Sequence, residues 1–215
     1  MVQTIKNIFM KDYTLESVNV GKFAKLVIQG MNFKIEAYQV KELGMVAFIE
    51  ASGLFGLAKK ESVIISPLKK DMPLFFYNRT KAFGKDSLMI DLYDTMLGSC
   101  FLDKMKNLKE KFADVTDDKY AGYWFDEIRL LESIAKKGRG KQSKNLDALV
   151  EAYVYAYLND AELANGCVVK DKKQKTSVYL DQFLEKGGLA TDAFMLNYGM
   201  KLSKPLFNIL VLGMN

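Results

Sequence analysis

The sequence predicts an α+β fold, a three-layer α/β/α sandwich with a central antiparallel sheet. Residues 32–96 alternate apolar and polar side chains with a period of two, which is typical of strands. Short connections join these strands, whereas parallel pairing would need crossovers of about a dozen residues or more. Helical patterns flank this block, and a sheet that is apolar on both faces needs a helical layer against each face.

The length and composition indicate one domain that folds without disulfide bonds. A chain of 215 residues buries about 70% of its unfolded surface. The composition, 49% apolar and 27% charged, is that of a globular protein. We therefore expect a single domain over 1–215, with a helical segment at 1–30, antiparallel strands at 32–96 and a mainly helical part at 99–215.

The absence of histidine excludes several kinds of site. Ser-His-Asp and Cys-His catalytic units, His-ligated zinc and His-ligated haem all require that residue. The chain also lacks a glycine-rich nucleotide motif, a P-loop, CxxC, HExxH and GxSxG. Its two cysteines, Cys100 and Cys167, make no disulfide framework and are typical of a cytosolic chain. Acid–base chemistry would therefore fall to Asp, Glu, Tyr, Lys or Cys.

Neither end of the chain resembles a targeting or membrane-spanning segment. The start, MVQTIKNIFMKDYT, is too short and too polar for a signal peptide. The apolar run at 205–214 is well below the length of a membrane span. We expect a soluble, cytoplasmic protein with no membrane partner.

The N-terminal segment and the strands are predicted as follows. Residues 1–29 read as helical, because five apolar residues are spaced for one helix face and Gly30 suits a helix C-cap. Those five residues are Leu15, Val18, Phe23, Leu26 and Val27. From Phe33 about five strands follow, near 33–38, 45–52, 61–66, 74–83 and 87–95, with a turn at Gly84-Lys85-Asp86-Ser87.

Beyond Thr95 the pattern predicts helices almost to the end of the chain. Ser99 caps the first, Asp117 or Asp118 caps a second through YAGYWFDEIRLLESIAKK, and Gly166 stops a third. A lysine-rich loop at 168–175 precedes three short helices. They are predicted near 176–186, 191–198 and 203–212, with Thr191 and Ser203 as N-caps and Pro205 in a first turn.

The hairpin at 71–96 carries the candidate site. Two polar residues, Asn78 and Asp91, lie in otherwise apolar strands. A mid-strand carboxylate is disfavoured unless its face is wet or its charge is paired. Asp91 therefore either pairs with a basic side chain, faces solvent, or lines a ligand cleft between the sheet and the C-terminal helices.

Alternation assigns the hairpin side chains to faces. Asn78 shares a face with Phe76, whereas Arg79 points to the other face. Asp91 shares a face with Tyr93. A turn centred on Lys85-Asp86 would place Asn78 near Tyr93, and Asp91 near Thr80.

The net charge is +5, and two basic segments contribute to it. They are Lys136, Lys137, Arg139, Lys141 and Lys144, followed by Lys170, Lys172, Lys173 and Lys175. Solvated loops are the simpler interpretation, and a docking patch for an acidic protein or for phosphates is the functional one. Aromatic residues are not interleaved with these lysines, which disfavours nucleic-acid stacking.

At this hairpin the chain resembles the ferredoxin-dependent bilin reductases and the related red chlorophyll catabolite reductase. Pro73, Phe75 and Asn78 match a strand beginning Pro-x-Phe-x-x-Asp, and Asp91-Leu92 match an Asp-Leu strand after the turn. A second match comprises YLDQFLEKGGLATDAFMLNYG and KPLFNILVLG near the end. The order of elements fits from about Phe33 onward, and the family's fold is an antiparallel sheet between two helical layers.

The resemblance implies a pocket for an open-chain tetrapyrrole between the sheet and the C-terminal helices. It also implies reduction with electrons from reduced ferredoxin, without a bound cofactor or metal, and docking of acidic ferredoxin on the basic loops. The family's strand aspartate corresponds to Asn78, whose amide can hydrogen-bond a pyrrole or lactam but delivers no proton. The proton donors would be Asp91, Asp192 and Asp181, and the ligand contacts would be Asn78, Phe76, Tyr93 and Arg79.

Two alternatives remain open. One is a non-catalytic tetrapyrrole-binding or other ligand-binding protein on the same fold, which the amide at position 78 and the absence of histidine favour. The other is a basic adaptor that binds a protein or, less consistently with the composition, a nucleic acid through the two lysine-rich segments.

Overall fold

A computed structural model describes residues 1–99, 102–118, 123–188 and 190–214. The helices are α1 (Val2–Asp12), α2 (Asp103–Lys111), α3 (Gln142–Leu163), α4 (Val169–Lys186) and α5 (Asp192–Phe207). The strands are β1 (Leu15–Val18), β2 (Lys25–Ile28), β3 (Met31–Val40), β4 (Gly44–Gly53), β5 (Ala58–Ser66), β6 (Leu74–Ala82), β7 (Lys85–Tyr93) and β8 (Ile134–Gly138). Short helical segments lie at Gly21–Phe23, Leu54–Gly56, Trp124–Ile128 and Asn208–Leu212.

The eight strands form one antiparallel sheet in the order β1-β3-β4-β5-β6-β7-β8. The strand β2 also pairs with β3, so β1 and β2 lie end to end along the same side of it. Every pairing within the sheet is antiparallel. This arrangement follows from the short hairpin connections, which leave no room for crossovers.

Helices cover both faces of the sheet, which confirms the predicted sandwich. One face packs its buried strand residues against α1, α2 and α3, and we call it the α3 face. The other face packs against α4, α5 and the segment Asn208–Leu212, and we call it the α5 face. Strand residues alternate between the two cores, as Phe75 on the α3 face and Leu74 on the α5 face illustrate.

The predicted helix over 1–29 is wrong beyond Asp12. Leu15–Val18 and Lys25–Ile28 are strands that pair with β3, and Leu26 lies opposite Phe33. The apolar spacing imitated a helix face, but pairing with a long neighbouring strand decides the conformation of short β-branched segments. Gly30 has a positive φ of 75°, as predicted for a left-handed position, yet it closes a hairpin and not a helix.

The predicted helix through YAGYWFDEIRLLESIAKK is also wrong where the structure describes it, since residues 119–122 lie outside the described part. Only Trp124–Ile128 is helical there, and Ile134–Gly138 is the edge strand β8. Asp117 pairs with Lys136 at 2.8 Å between Oδ1 and Nζ, and Asp118 accepts a hydrogen bond from Ser87. Asp117 and Asp118 therefore connect a loop to the sheet and are not helix N-caps.

The C-terminal helices are longer than predicted. The supposed lysine-rich loop forms the first turns of α4, which begins at Val169. The helices predicted near 191–198 and 203–212 join across a kink at Gly199, whose φ is 61°. Thr191 immediately precedes α5, and its hydroxyl donates to the carbonyl oxygens of Phe183 and Gly188 instead of capping the helix. Ser203 and Pro205 lie inside α5.

The hairpin turn lies two residues earlier than predicted. Phe83-Gly84 forms it, because Ala82 pairs with Lys85. Asn78 therefore lies opposite Met89, and Asp91 lies opposite Phe76, so the predicted cross-strand neighbours are wrong. Moving a two-residue turn by two residues shifts the pairing by four, so the side chains that share a face are the same as predicted.

Within the described residues, no helix combines the length and the apolar character that crossing a membrane requires.

Candidate functional site

The two polar hairpin residues lie together on the α5 face. Asn78 is 4% exposed and Asp91 is 1% exposed. Because Asn78 lies opposite Met89, Asp91 is its diagonal neighbour on the next strand, at a Cβ separation of about 7–8 Å in a regular sheet. The sheet therefore presents an amide and a carboxylate side by side beneath the C-terminal helices.

The amide of Asn78 is half satisfied. Its Oδ1 accepts a hydrogen bond from the Ser62 hydroxyl at 2.7 Å on the adjacent strand. Its Nδ2 finds no hydrogen-bond partner among the described residues. A buried donor without a partner costs about 1–3 kcal/mol. Asn78 therefore holds an N–H group ready for an acceptor that the described chain does not supply.

The carboxylate of Asp91 is held by two neighbours. The Tyr93 hydroxyl donates to its Oδ2 at 3.1 Å. The Arg129 guanidinium lies 3.8 Å from its Oδ1 and 3.1 Å from Asp126. Arg129 reaches this position because its backbone bridges to Tyr93. The sequence analysis missed Arg129, although the spacing Asp126-x-x-Arg129 could have indicated an ion pair.

Aromatic rings form a wall around the pair. Phe183 of α4 stacks on Phe76 with an interplanar angle of 11°, and its ring centroid lies 4.8 Å from that of Tyr93. Trp124 and Phe125 complete the cluster, at 4.9 Å and 5.6 Å from Phe183. Phe183, Trp124 and Phe125 were not among the residues predicted for the site.

The cleft between these groups and the helices is closed. The space enclosed by Phe76, Tyr93, Phe183, Gly188, Thr191 and Phe207 amounts to about 20 Å³. Gly187 and Gly188 close it on one side, because the Trp124 indole donates from Nε1 to the Gly187 carbonyl at 2.7 Å, and we call these two glycines the seal. The Gly188 amide in turn donates to Asp192 Oδ1 at 2.8 Å.

The two helical aspartates take different positions. Asp192, the first residue of α5, is exposed next to the seal. Burial lowers the pKa of the Lys60 ammonium, and the Asp192 carboxylate partly offsets that effect. Asp181 pairs with Lys204 at 2.8 Å, and its side chain is 43% exposed. Asp181 thus sits in a surface ion pair.

Arg79 lies on the α3 face, away from Asn78 and Asp91. Its guanidinium donates to both oxygens of Asp86 at 2.7 Å and to Asp147, and it also donates to the Ser143 carbonyl. Burial lowers the pKa of Arg79, but these hydrogen bonds outweigh it and the net change is upward. The structure therefore gives Arg79 internal partners, and it brings together four of the expected site residues: Asn78, Phe76, Asp91 and Tyr93.

Three of the basic residues in the two lysine-rich segments are internal ties. Lys136 donates to the Val115 carbonyl at 2.9 Å and is 4% exposed. Lys172 is fully buried and donates to the Met72 and Thr95 carbonyls. Lys175 donates to the Met96 carbonyl. These three side chains are therefore not part of a free docking patch.

Among the described residues, no group of three or more Cys, Asp or Glu side chains is arranged to hold a metal ion.

Comparison with known proteins identifies the fold. No family model and no curated protein sequence matches the chain. A solved structure, that of selenomethionine phytochromobilin synthase from tomato in complex with biliverdin, is similar to it with a TM-score of 0.79. The match covers 98% of this chain and 81% of the tomato protein, at 11% sequence identity. The fold is thus shared, and it agrees with the resemblance noted at the hairpin.

Proposed function

We infer that this protein binds a linear tetrapyrrole, or a ligand of similar size and conjugation, between the α5 face and the C-terminal helices. The observation that carries the inference is the buried pair of Asn78 and Asp91, in which Asn78 Nδ2 has no hydrogen-bond partner within the described part of the chain. Support comes from the same fold in a protein solved with biliverdin. An apolar cleft with a few placed polar groups is the usual form of such a site.

The polar groups match the chemistry of a bilin. Its pyrrole N–H groups are donors, and the Asp91 carboxylate is an acceptor beside them. Its terminal lactam oxygens are acceptors, and Asn78 Nδ2 is a donor that has no acceptor among the described residues. Its conjugated rings suit the faces of Phe76 and Phe183, which are parallel.

Binding requires the cleft to open. A cavity of about 20 Å³ is far below the roughly 300–1,000 Å³ of small-molecule sites. Phe183, Gly188 and Thr191 line this small cavity, so they must move outward to admit a ligand. The hydrogen bonds from Trp124 to the Gly187 carbonyl and from the Gly188 amide to Asp192 are among the contacts that hold them in place.

Reduction of the bound ligand is a second candidate, favoured by the hydrogen bond between Tyr93 and Asp91. Each double bond reduced takes two electrons, which reduced ferredoxin would supply, and two protons. Asp91 and Tyr93 are protonatable groups on the ligand side of the sheet, and Asp192 is a third at the seal. Asn78 would orient the ligand without transferring a proton.

Titration of biliverdin into the protein tests the binding proposal. We expect a shift of the visible absorption bands, and an affinity about tenfold lower for Asn78→Leu, because one hydrogen bond is lost at similar volume. Asn197→Leu, at an exposed position on α5, is the matched control and should bind normally. Absence of any shift with wild-type protein at tens of micromolar ligand would contradict the proposal.

Anaerobic addition of reduced ferredoxin separates a reductase from a carrier. Bleaching or a blue shift of the bound bilin spectrum would support reduction. A stable spectrum in the presence of bound ligand would leave binding alone as the function.

A further inference from the structure

Three hairpin turns and the last residue of β8 lie at the same end of the sheet. The turns are Gln29-Gly30 between β2 and β3, 54–57 between β4 and β5, and Phe83-Gly84 between β6 and β7. Because β8 runs antiparallel to β7, its last residue, Gly138, lies at this end too. We call this end of the molecule the tip surface.

Large apolar side chains project from the tip surface. Phe55 is fully exposed, Phe83 is 74% exposed and Leu57 is 64% exposed. Phe55 and Phe83 also have positive φ values of 55° and 51°, each followed by a glycine with positive φ. Asn, Asp and Gly are the residues favoured in such positions. Neither turn chemistry nor core packing therefore explains two aromatic residues there.

Cations surround these apolar side chains. Lys59, Lys85, Arg139 and Lys141 are exposed within three residues of the strand ends, and the Lys81 side chain is 44% exposed. The carboxylate in the same row, Asp86, is buried against Arg79 and lies 3.7 Å from Lys81 Nζ, so it offsets only part of the positive charge. The tip surface thus combines projecting apolar groups with a positive field at its solvent side.

We propose that the tip surface docks onto a lipid bilayer that carries anionic headgroups. Phe55, Leu57 and Phe83 enter the interfacial region, where aromatic side chains are favoured, and the lysines contact the headgroups. The two aromatic turns are two strand spacings apart, about 10 Å. Separate projections suit a fluid interface, whereas a protein partner is expected to meet a contiguous packed patch. We expected no membrane partner because the sequence has no membrane-spanning segment. Docking at the bilayer surface needs no such segment, so that expectation does not apply to it.

Sedimentation with vesicles tests the proposal on the full chain. We expect binding to phosphatidylcholine vesicles that contain phosphatidylserine, and much weaker binding to pure phosphatidylcholine. The double variant Phe55→Asn/Phe83→Asn should lose about tenfold or more in affinity for the anionic vesicles, since two buried aromatic contacts are removed. Asn-Gly favours these turns, so the variant should unfold at or above the wild-type temperature.

The third turn supplies a matched control. Gln29→Asn makes the same type of change before a glycine of positive φ but removes no apolar group, so it should bind vesicles as wild type does. Lys81→Gln/Lys85→Gln should weaken binding to anionic vesicles, and added salt should do the same.

Three results would overturn the proposal. They are unchanged vesicle binding by the double aromatic variant, equal binding to neutral and anionic vesicles, and capture of an acidic protein by this surface with no binding to vesicles.

Discussion

At the scale of single residues, Glu36 shows how neighbouring cations set the charge of a carboxylate. Burial raises the pKa of Glu36, but hydrogen bonds from Lys34 and Lys6 outweigh it and lower the pKa to about 2. A lowered pKa in the folded state means that the stabilisation is present above the ordinary value of 4.5 and is lost as the pH falls towards 2. We expect Glu36→Gln to flatten the decline of melting temperature over this acidic range.

The exposed Glu16 on β1 provides the control for this measurement. Glu16→Gln should retain the wild-type dependence of melting temperature on pH. A Glu36→Gln profile that runs parallel to wild type would show that the lysine pairs do not govern the acid sensitivity.

The residues of the candidate site differ in how far the sequence could predict them. Alternation along β6 and β7 suffices to place Asn78 and Asp91 on one face, because a strand has a fixed period of two. The contacts of Ser62 with Asn78 and of Arg129 with Asp91 could not be predicted, since they depend on the order of the strands in the sheet. The hydrogen bond from Arg79 to Asp147 was likewise not predictable, because Asp147 lies on α3, far away in the sequence.

At the scale of elements, the buried ammonium of Lys172 joins α4 to the loops that contain Met72 and Thr95, at the end of the sheet away from the tip surface. Lys172 Nζ donates to the Met72 carbonyl at 2.6 Å and to the Thr95 carbonyl at 2.8 Å, and it lies 3.5 Å from Asp71. Lys172→Met should lower the free energy of unfolding by about 2–4 kcal/mol, because these buried acceptors lose their donor. Urea denaturation measures this change.

Lys170→Met is the comparison for that experiment. Lys170 is exposed on the same helix, so its substitution should change the free energy of unfolding by less than about 0.5 kcal/mol. Equal effects at the two positions would mean that the buried ammonium does not anchor the helix.

The elements that the sequence analysis missed share one physical cause. The segments β1, β2 and β8 are only four or five residues long, and their strand conformation depends on pairing with a longer neighbour. The lysines at the start of α4 are typical of a solvated loop, but Lys172 and Lys175 donate hydrogen bonds to backbone carbonyls of distant loops. The longer strands β3 to β7 carry their own pattern, so the sequence predicts all five of them, although it places the turn between β6 and β7 two residues too late.

At the scale of the whole molecule, we expect the indole of Trp124 to control the entry of a ligand into the cleft. Trp124 is the single tryptophan of the chain, and it joins the loop before Arg129 to the seal at Gly187. Trp124→Phe keeps an aromatic ring but removes the hydrogen bond, so biliverdin should associate several-fold faster with this variant. Stopped-flow absorbance would measure the rate.

Tyr155→Phe is the control for the association rate. Tyr155 is partly exposed on α3, in the other helical layer, and its substitution should leave the rate unchanged. An association rate for Trp124→Phe equal to wild type would indicate that the seal opens by another contact.

The strands at the two borders of the sheet are short, which affects how another copy of the chain could pair with them. Along one border, β1 and β2 each offer four residues, interrupted by the turn at Gly21–Phe23. The other border is β8, with five residues that include the exposed Lys137. Amyloid-like growth needs a long, uncharged strand to act as a template. The first border is interrupted, and backbone hydrogen bonds from residues 116–118 cover part of β8, so we expect little fibril growth by strand addition at either border.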